Sequence, residues 1–341
     1  MGEYNFSAVE VVIIDPQVHT RRIIRGALNQ INAKAITEFD SPQSMMEKME
    51  GGASAGMPDL LIIDAEAPDS PNLKFLNQVR HGHVFRNPFL GIVVSTWNPT
   101  NMMLARATNA GADDLMAKPV SIKQVEDRLV ALVEQRRPFV VTSDYIGPDR
   151  RRQSRENPRL ASSMDPPNTV RLKAMNQFGQ VDLQTELANS FDLVNQHKLV
   201  GHAFQVAFLV EYALPGLAGK QPDSMSIEHV QRVPAIIEDF LRRIRDPELR
   251  VATDRVATAL NEHIDNIVHP EGRTPERLAG FRLATLQLMR ATNPDRPVKD
   301  MEAEVKASVQ TYRMRLKEIL ASRMAASTLA AETAPVAASI P

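Results

Sequence analysis

Four polar positions follow short apolar segments, at spacings that could assemble a site for phosphoryl transfer. Asp15 ends VEVVIID, Asp64 ends DLLIID, Thr96 ends FLGIVVST, and Lys118-Pro119 ends DDLMAKP. Apolar segments of this length, separated by helical patterns, predict buried parallel strands in a βα repeat. Because chemistry in an open parallel sheet lies at the carboxyl ends of the strands, we expect these side chains to meet at one edge. Two carboxylates, a hydroxyl and an ammonium together could place a phosphoryl group on a carboxylate.

The segments between these strands carry patterns that predict the covering helices. Residues 18–32 repeat apolar side chains at helical spacing. Ser41 followed by Pro42 is typical of a helix start, because the hydroxyl caps the first turn and Pro needs no amide partner there. Ser121 and Gln124 have the spacing of a capping box, which predicts a last helix beginning after Ser121.

At this point the chain resembles a known family over residues 8–136. The segment GADDLMAKP (111–119) is close to the Gly-Ala-x-x-(aromatic)-x-x-Lys-Pro pattern of the receiver domain of bacterial two-component response regulators. The strand ends described above also match this family, in order and in spacing. The resemblance implies an α/β fold of the flavodoxin-like type, a doubly wound parallel sheet of five strands.

The resemblance also implies a role for each residue of the site. Asp64 would be the phospho-acceptor, attacking a phosphohistidine as a carboxylate nucleophile. Asp15 and Asp64 would help to hold Mg²⁺, and the backbone of Glu66 is a further candidate ligand. Lys118 would contact a phosphoryl oxygen, and the Thr96 hydroxyl would move to another as the switch.

Three positions depart from the family pattern. Pro16 stands where a second acid usually follows Asp15, so we expect Mg²⁺ to bind more weakly. Trp97, the only Trp in the chain, stands where a small residue is usual, and its indole could cover the entrance to Asp64. Leu115 replaces the usual aromatic residue of the switch. The residues therefore leave two alternatives open, a phosphorylated receiver and a receiver that binds partners with little or no phosphoryl traffic.

Length and composition indicate the broad class. A chain of 341 residues suits two domains better than one. The chain has no Cys, so disulfides, Cys metal sites and thiol redox chemistry are excluded. A net charge of −1 argues against a protein dominated by nucleic-acid binding. No apolar stretch approaches a membrane span and the first residues lack a signal-peptide pattern, so we expect a cytoplasmic protein.

We expect the receiver domain over residues 1–136 and a basic, Pro- and Ser-rich linker over 137–167. Pro, Ser and charged residues dominate the linker, which predicts mostly irregular structure. It is either a solvated segment lying on an acidic surface or a contact for an anion. The candidate anion contacts are Arg150, Arg151, Arg152 and Arg155.

Residues 168–325 lack strand patterns, which predicts an all-α helical domain. We recognise no family in the residues of this segment. Short connections favour a helical bundle, and Pro215-Gly216 predicts a helix end. Residues 326–341 are rich in Ala, Thr, Ser and Pro, and we expect them to be disordered. The candidate helices are 181–199, 201–213, 226–245, 247–267, 274–291 and 297–325.

Two classes of function follow. The first is a response regulator that receives a phosphoryl group from a sensor histidine kinase or a phosphotransfer protein and then acts through the helical domain. That domain would bind a protein target or form a homodimer, without enzymatic activity. The second is a constitutive adaptor in which the receiver fold is only a docking surface. An enzymatic or nucleic-acid output is the minority alternative, because the helical part shows no active-site motif.

Overall fold

The structure is a computed structural model, and it describes residues 4–50, 57–150, 162–219, 223–267, 269 and 272–332. By its internal contacts the chain divides into two compact units, Met1–His197 and Lys198–Pro341. The first unit therefore extends past residue 136, where the sequence pattern predicted the end of the receiver.

The first unit is built around a parallel sheet of five strands in the order β2-β1-β3-β4-β5. β3 and β4 are buried along their whole length, as expected for central parallel strands covered on both faces. This order confirms the predicted doubly wound, flavodoxin-like sheet. The strands are β1 (Glu10–Ile14), β2 (Ala35–Phe39), β3 (Leu60–Asp64), β4 (Gly91–Thr96) and β5 (Asp114–Ala117).

Five helices connect and cover these strands, and two separate apolar cores lie against the sheet. The predicted capping box is present at the start of the fifth helix, where Ser121 and Gln124 exchange hydrogen bonds. Ser41 caps the second, accepting from the Ser44 amide at 3.2 Å. The helices are α1 (Val18–Gln30), α2 (Pro42–Glu50), α3 (Pro71–Arg80), α4 (Asn101–Asn109) and α5 (Ile122–Glu134).

A glycine is required where α4 turns into β5. Gly111 has a φ of +99°, a conformation that L side chains rarely adopt, and a Cβ there would lie 2.7 Å from Arg80 Cγ. Arg80 itself is buried, and it donates to the carbonyl oxygens of Gly111 and Leu90 and pairs with Asp113. The Gly of the GADDLMAKP segment is therefore explained by the close approach of a buried arginine.

The described part of residues 137–167 combines irregular segments with short strands that the sequence pattern did not predict. Three short antiparallel strands lie there in the order β7-β6-β8, namely β6 (Phe139–Val141), β7 (Ile146–Pro148) and β8 (Ser162–Met164). Their apolar side chains form a third core of the first unit together with Phe89. Strands of three residues carry too little alternation for the pattern to be recognised.

The described residues after β8 are helical, as predicted. α6 (Thr169–Ala174) precedes α7 (Leu183–Leu217), a single helix where the pattern predicted two. The predicted end at Pro215 is also wrong, because α7 continues to Leu217. Pro215 removes one backbone donor from the last turn, and α7 ends two residues later.

The helices of the second unit enclose one apolar core that includes Val206, Phe240, Leu260 and Phe281. The last helix reaches Glu332, so disorder from residue 326 is contradicted as far as 332, and residues 333–341 lie outside the described residues. Within the described part of the chain, no helix is long and apolar enough to cross a membrane. The helices are α8 (Ser224–Gln231), α9 (Val233–Arg243), α10 (Pro247–Ile267), α11 (Pro275–Thr292) and α12 (Val298–Glu332).

Candidate functional site

The four strand-end side chains meet at the carboxyl edge of the parallel sheet. Asp15 follows β1, Asp64 ends β3, Thr96 ends β4 and Lys118 follows β5. All four residues are buried when backbone and side chain are counted together, with exposed fractions of 0 % for Asp15 and Thr96, 6 % for Asp64 and 7 % for Lys118. The sheet register aligns Asp64 with Ser95, which places the ends of β3 and β4 side by side. The structure therefore brings together the residues that the spacing predicted to meet.

Lys118 is the centre of this group. Its Nζ lies 2.8 Å from Asp15 Oδ2 and 3.2 Å from Glu66 Oε1, and it also forms an ion pair with Asp64 Oδ1. Burial lowers the pKa of Lys118, but the hydrogen bonds and charges of Asp15 and Asp64 outweigh burial and raise that pKa above its usual value. The peptide bond between Lys118 and Pro119 is cis. One ammonium thus balances three neighbouring carboxyl groups.

The Asp64 carboxyl has a raised affinity for a proton. Burial, and next the hydrogen bond with Glu66, raise the pKa of Asp64 to about 7, while Lys118 acts in the opposite direction. For Glu66, burial raises the pKa, but hydrogen bonds with Asp64, the Trp97 amide and Lys118 outweigh it and leave the pKa lowered. Near neutral pH the charge of this pair therefore lies more on Glu66 than on Asp64.

Glu66 is the residue whose role sequence reasoning missed. Its Oε2 accepts a hydrogen bond of 2.9 Å from the Trp97 amide and lies 3.4 Å from the Thr96 hydroxyl, which donates toward it. The Thr96 Oγ1 in turn accepts from the Asn98 amide at 3.1 Å. The only signal in the sequence was the position of Glu66 two residues after Asp64, and this had indicated a backbone ligand for Mg²⁺.

Asp15 and Asp64 are held in place by neighbouring groups. Asp15 Oδ1 accepts a hydrogen bond of 2.8 Å from the Gln17 amide, across the exposed ring of Pro16. Asn72, in the first turn of α3, donates from its side-chain amide to the backbone oxygen of Asp64 at 2.6 Å. Both contacts make the edge rigid where the two carboxylates lie.

Trp97 and Leu115 are two of the positions that depart from the family pattern, one near the entrance to Asp64 and one at the switch. Trp97 is 51 % exposed, and Lys118 Nζ lies 6.0 Å from the centre of its ring, at the outer limit for a cation–π contact. The indole is therefore near the entrance without sealing it. Leu115 is half-buried and packs against one of the two cores beside the sheet.

The candidate anion contacts lie away from this edge or outside the described residues. The guanidinium of Arg150 lies 3.9 Å from the ring centre of Tyr145 and donates a hydrogen bond to Asn109 Oδ1. Arg151, Arg152 and Arg155 lie outside the described residues. An anion contact in this segment stays a prediction.

A magnesium site at this edge would depend on Asp15 and Asp64. No group of three or more His, Cys, Asp or Glu side chains arranged to hold a metal occurs in the part of the chain that the structure describes. Mg²⁺ commonly takes only one or two carboxylates, and water or phosphate oxygens complete its coordination. The two carboxylates at this edge are therefore a suitable donor set for Mg²⁺, although a sparse one.

Residues 11–130 match the family model of the response regulator receiver domain. The KDP operon transcriptional regulatory protein KdpE of Escherichia coli is 29% identical over 119 residues, which cover 35% of this chain and 48% of KdpE. A probable chemotaxis protein CheY of Rhizobium etli is 26% identical over 124 residues, 36% of this chain and 92% of that protein. The chain thus spans about half the length of KdpE but nearly all of this CheY.

Among solved structures, the orphan response regulator HP1043 of H. pylori is 25% identical, with a TM-score of 0.30, and the match covers 37% of this chain and 96% of that one. The residues that match the family model contain Asp15, Asp64, Thr96 and Lys118. Residues 11–130 therefore form a response regulator receiver domain.

Proposed function

We propose that this chain is a response regulator of a two-component phosphorelay, which accepts a phosphoryl group on Asp64 and signals through protein–protein interaction of its helical domain. The observation that supports this most directly is the convergence of Asp64, Asp15, Thr96 and Lys118 at one edge of a receiver domain. Each side chain there has a chemistry that phosphoryl transfer needs.

In this proposal a carboxylate oxygen of Asp64 attacks the phosphorus of a phosphohistidine. The new P–O bond forms as the P–N bond breaks, and the imidazole leaves with the electron pair and takes up a proton. Lys118 neutralises charge on the phosphoryl oxygens, and Asp15 holds the ammonium of Lys118 in position. The Thr96 hydroxyl donates to a phosphoryl oxygen after transfer.

Asp15 and Asp64 would hold Mg²⁺ in this site. When bound, the ion would neutralise charge on the phosphoryl oxygens. Pro16 offers no side-chain oxygen beside Asp15, so the site has one acid fewer than the family pattern. We therefore expect weaker binding of Mg²⁺ than in a receiver with two adjacent acids.

The proposed partners are a sensor histidine kinase or a phosphotransfer protein on the receiver side. On the output side we propose a protein target, or a second copy of the chain, for residues 168–325, with no enzymatic activity. Exposed apolar side chains on α12, Tyr312, Met314, Ile319 and Leu320, are consistent with a protein-binding role. A cytoplasmic location also stays a prediction.

A second function is favoured by specific features of the site. Pro16 removes a metal ligand, and the Glu66 carboxylate engages the donors that a phosphoryl group would use. These features would suit an adaptor whose receiver docks partners without phosphorylation.

Intact mass spectrometry of the full chain, incubated with Mg²⁺ and acetyl phosphate, tests the first proposal. We expect a phosphoryl adduct that is lost in Asp64→Asn and kept in Asp69→Asn, which removes an exposed carboxylate from the same loop. Absence of the adduct in the wild-type chain, together with failure to bind beryllofluoride, would favour the adaptor instead.

A further inference from the structure

Three hydrogen-bond donors, two from neighbouring residues at the end of β4 and one from after β5, point at one carboxylate, that of Glu66. The Trp97 amide and the Thr96 hydroxyl lie 2.9 and 3.4 Å from Oε2, and Lys118 Nζ lies 3.2 Å from Oε1. These donors stand at the ends of β4 and β5, whereas Glu66 belongs to the loop after β3. The arrangement therefore depends on the tertiary fold.

A backbone amide, a hydroxyl and an ammonium that converge in this way form a site for an anion. The phosphoryl group of phosphorylated Asp64 would present its oxygens close to the same donors, since Lys118 contacts Asp64 and Glu66 at once. A carboxylate resembles a phosphoryl group in negative charge and in its oxygen acceptors. Glu66 and a phosphoryl group cannot both use these donors fully.

We propose that Glu66 is an internal anion that occupies the phosphoryl-binding donors of the unphosphorylated protein, and that an incoming phosphoryl group has to displace it. This inference rests on the proposed function, because it assigns a further specificity-determining residue to the same site. In the unphosphorylated protein, the Thr96 hydroxyl and the Trp97 amide are then already hydrogen-bonded to an anion, the Glu66 carboxylate.

The position of Glu66 permits this exchange. Its side chain is 41 % exposed, whereas that of Lys118 is 1 % exposed. Glu66 can therefore turn out to solvent without opening the core, and Lys118 stays at the edge to meet the phosphoryl group. The regain of water by the released carboxylate offsets part of the lost hydrogen bonding.

The occupancy of the donors is tested in the full chain labelled with ¹⁵N-tryptophan. Trp97 is the only Trp, so its backbone amide and its indole are the only signals. We expect the amide signal to move upfield in Glu66→Ala and in Glu66→Gln, since a hydrogen bond to a carboxylate is lost or weakened. Asp69→Asn is the matched control and should leave the signal in place.

Competition is tested with the same variants, titrated with beryllofluoride at a fixed excess of Mg²⁺ and followed by the two Trp97 signals. We expect half-saturation at a concentration about tenfold lower in Glu66→Ala than in the wild-type chain, because the internal competitor is gone. Glu66→Gln should lie between them, since it keeps the shape and loses the charge. Asp64→Asn should not bind.

An unmoved Trp97 amide in both Glu66 variants overturns the inference, whatever the titration shows. If the beryllofluoride concentration at half-saturation is the same in the wild type, Glu66→Ala and Glu66→Gln, Glu66 does not compete with the phosphoryl group. Asp64 remains the acceptor in that case. If the amide moves but no variant binds beryllofluoride or accepts a phosphoryl group, the displacement and the proposed function both fail. The amide signal therefore separates a failure of Glu66 from a failure of Asp64.

Discussion

The ammonium of Lys118 lies 2.8 Å from Asp15 Oδ2, and each of these side chains is 1 % exposed. Because the same ammonium also pairs with Asp64 and Glu66, it holds together carboxyl groups that would otherwise repel one another. Lys118 should therefore matter for the stability of the fold as well as for phosphoryl chemistry.

Replacing Lys118 by Met should destabilise the full chain by about 3 kcal/mol at neutral pH, because buried carboxylates lose their counter-ion. The loss should shrink in acid, where the carboxyl groups take up protons. Urea unfolding at neutral and at acid pH measures the two losses of stability. Lys123→Met is the control, since Lys123 pairs with Asp127 on the exposed face of α5 and should cost less than about 1 kcal/mol. Equal effects of the two substitutions would contradict the central role of Lys118.

Asp64 should lower stability above neutral pH. Its folded pKa of about 7 lies above the ordinary value of 3.8, so the folded state binds the proton more tightly than the unfolded state. That contribution is complete below the ordinary value and is lost as pH rises through about 7. Asp64→Asn should therefore stabilise the chain by about 1 kcal/mol at about pH 8, a value reduced for solvent screening and for the lost ion pair.

The stabilisation by Asp64→Asn should fall toward zero at about pH 4, where the wild-type carboxyl is also uncharged. Asp69→Asn, in the exposed part of the same loop, serves as the control. Thermal unfolding at several pH values decides the matter. If the stabilisation by Asp64→Asn does not change with pH, the Asp64 carboxyl has an ordinary proton affinity.

Phosphorylation should accelerate as Asp64 loses its proton. Only the carboxylate is nucleophilic, so a pKa of about 7 for Asp64 predicts an initial rate about tenfold higher at about pH 8 than at about pH 6. The rate is measured as adduct formation by intact mass, with a phosphodonor that does not titrate in this interval. In Glu66→Ala the midpoint should move to lower pH, because the hydrogen bond with Glu66 raises the pKa of Asp64. A flat rate between the two pH values would refute this prediction.

Pro16 should limit the affinity for Mg²⁺. Pro16→Asp adds a carboxylate next to Asp15, so we expect the Mg²⁺ concentration at half-saturation to fall about tenfold. The indole fluorescence of Trp97, close to Lys118, provides the signal. Val18→Asp adds the same charge on an exposed position in the first turn of α1 and should change the affinity little. Equal gains for both substitutions would indicate general electrostatics instead of a ligand.

Arg80 should be essential for the packing behind the site. It is 1 % exposed and donates to the carbonyl oxygens of Gly111, Pro88 and Leu90 as well as to Asp113. Burial lowers the pKa of Arg80 to about 10, which still leaves it charged at neutral pH. Arg80→Met should cost about 3 kcal/mol, since the carbonyl groups of Gly111 and Pro88 lose this donor and buried Asp113 keeps only Arg136 as a cationic partner.

The matched control for Arg80→Met is Arg86→Met, because Arg86 is exposed. Chemical unfolding of both variants gives the comparison. Arg86→Met should lie within about 0.5 kcal/mol of the wild type. If Arg80→Met lowered the stability as little as Arg86→Met does, the buried network of Arg80 and Asp113 would not be essential for the fold.

Much of the receiver could be predicted because its signals are local. The apolar segments that end at Asp15, Asp64 and Thr96 indicated the strands, and Ser121 with Gln124 indicated the start of α5. These predictions succeeded because a buried parallel strand needs a continuous apolar segment and a helix start needs a capping side chain. The three-residue strands after residue 137 and the continuation of α7 past Pro215 gave no such local signal.

The sequence by itself determined which chemical groups stand at the ends of the strands, and their order and spacing indicated a receiver fold. Only the tertiary structure decided what those groups contact. The side chain of Glu66 lies among the Thr96, Trp97 and Lys118 donors because strands β3, β4 and β5 are neighbours in the sheet, although these residues are far apart in sequence. Contacts of this kind depend on distances between strands and on burial, which govern the strength of charge interactions and which spacing along the chain does not encode.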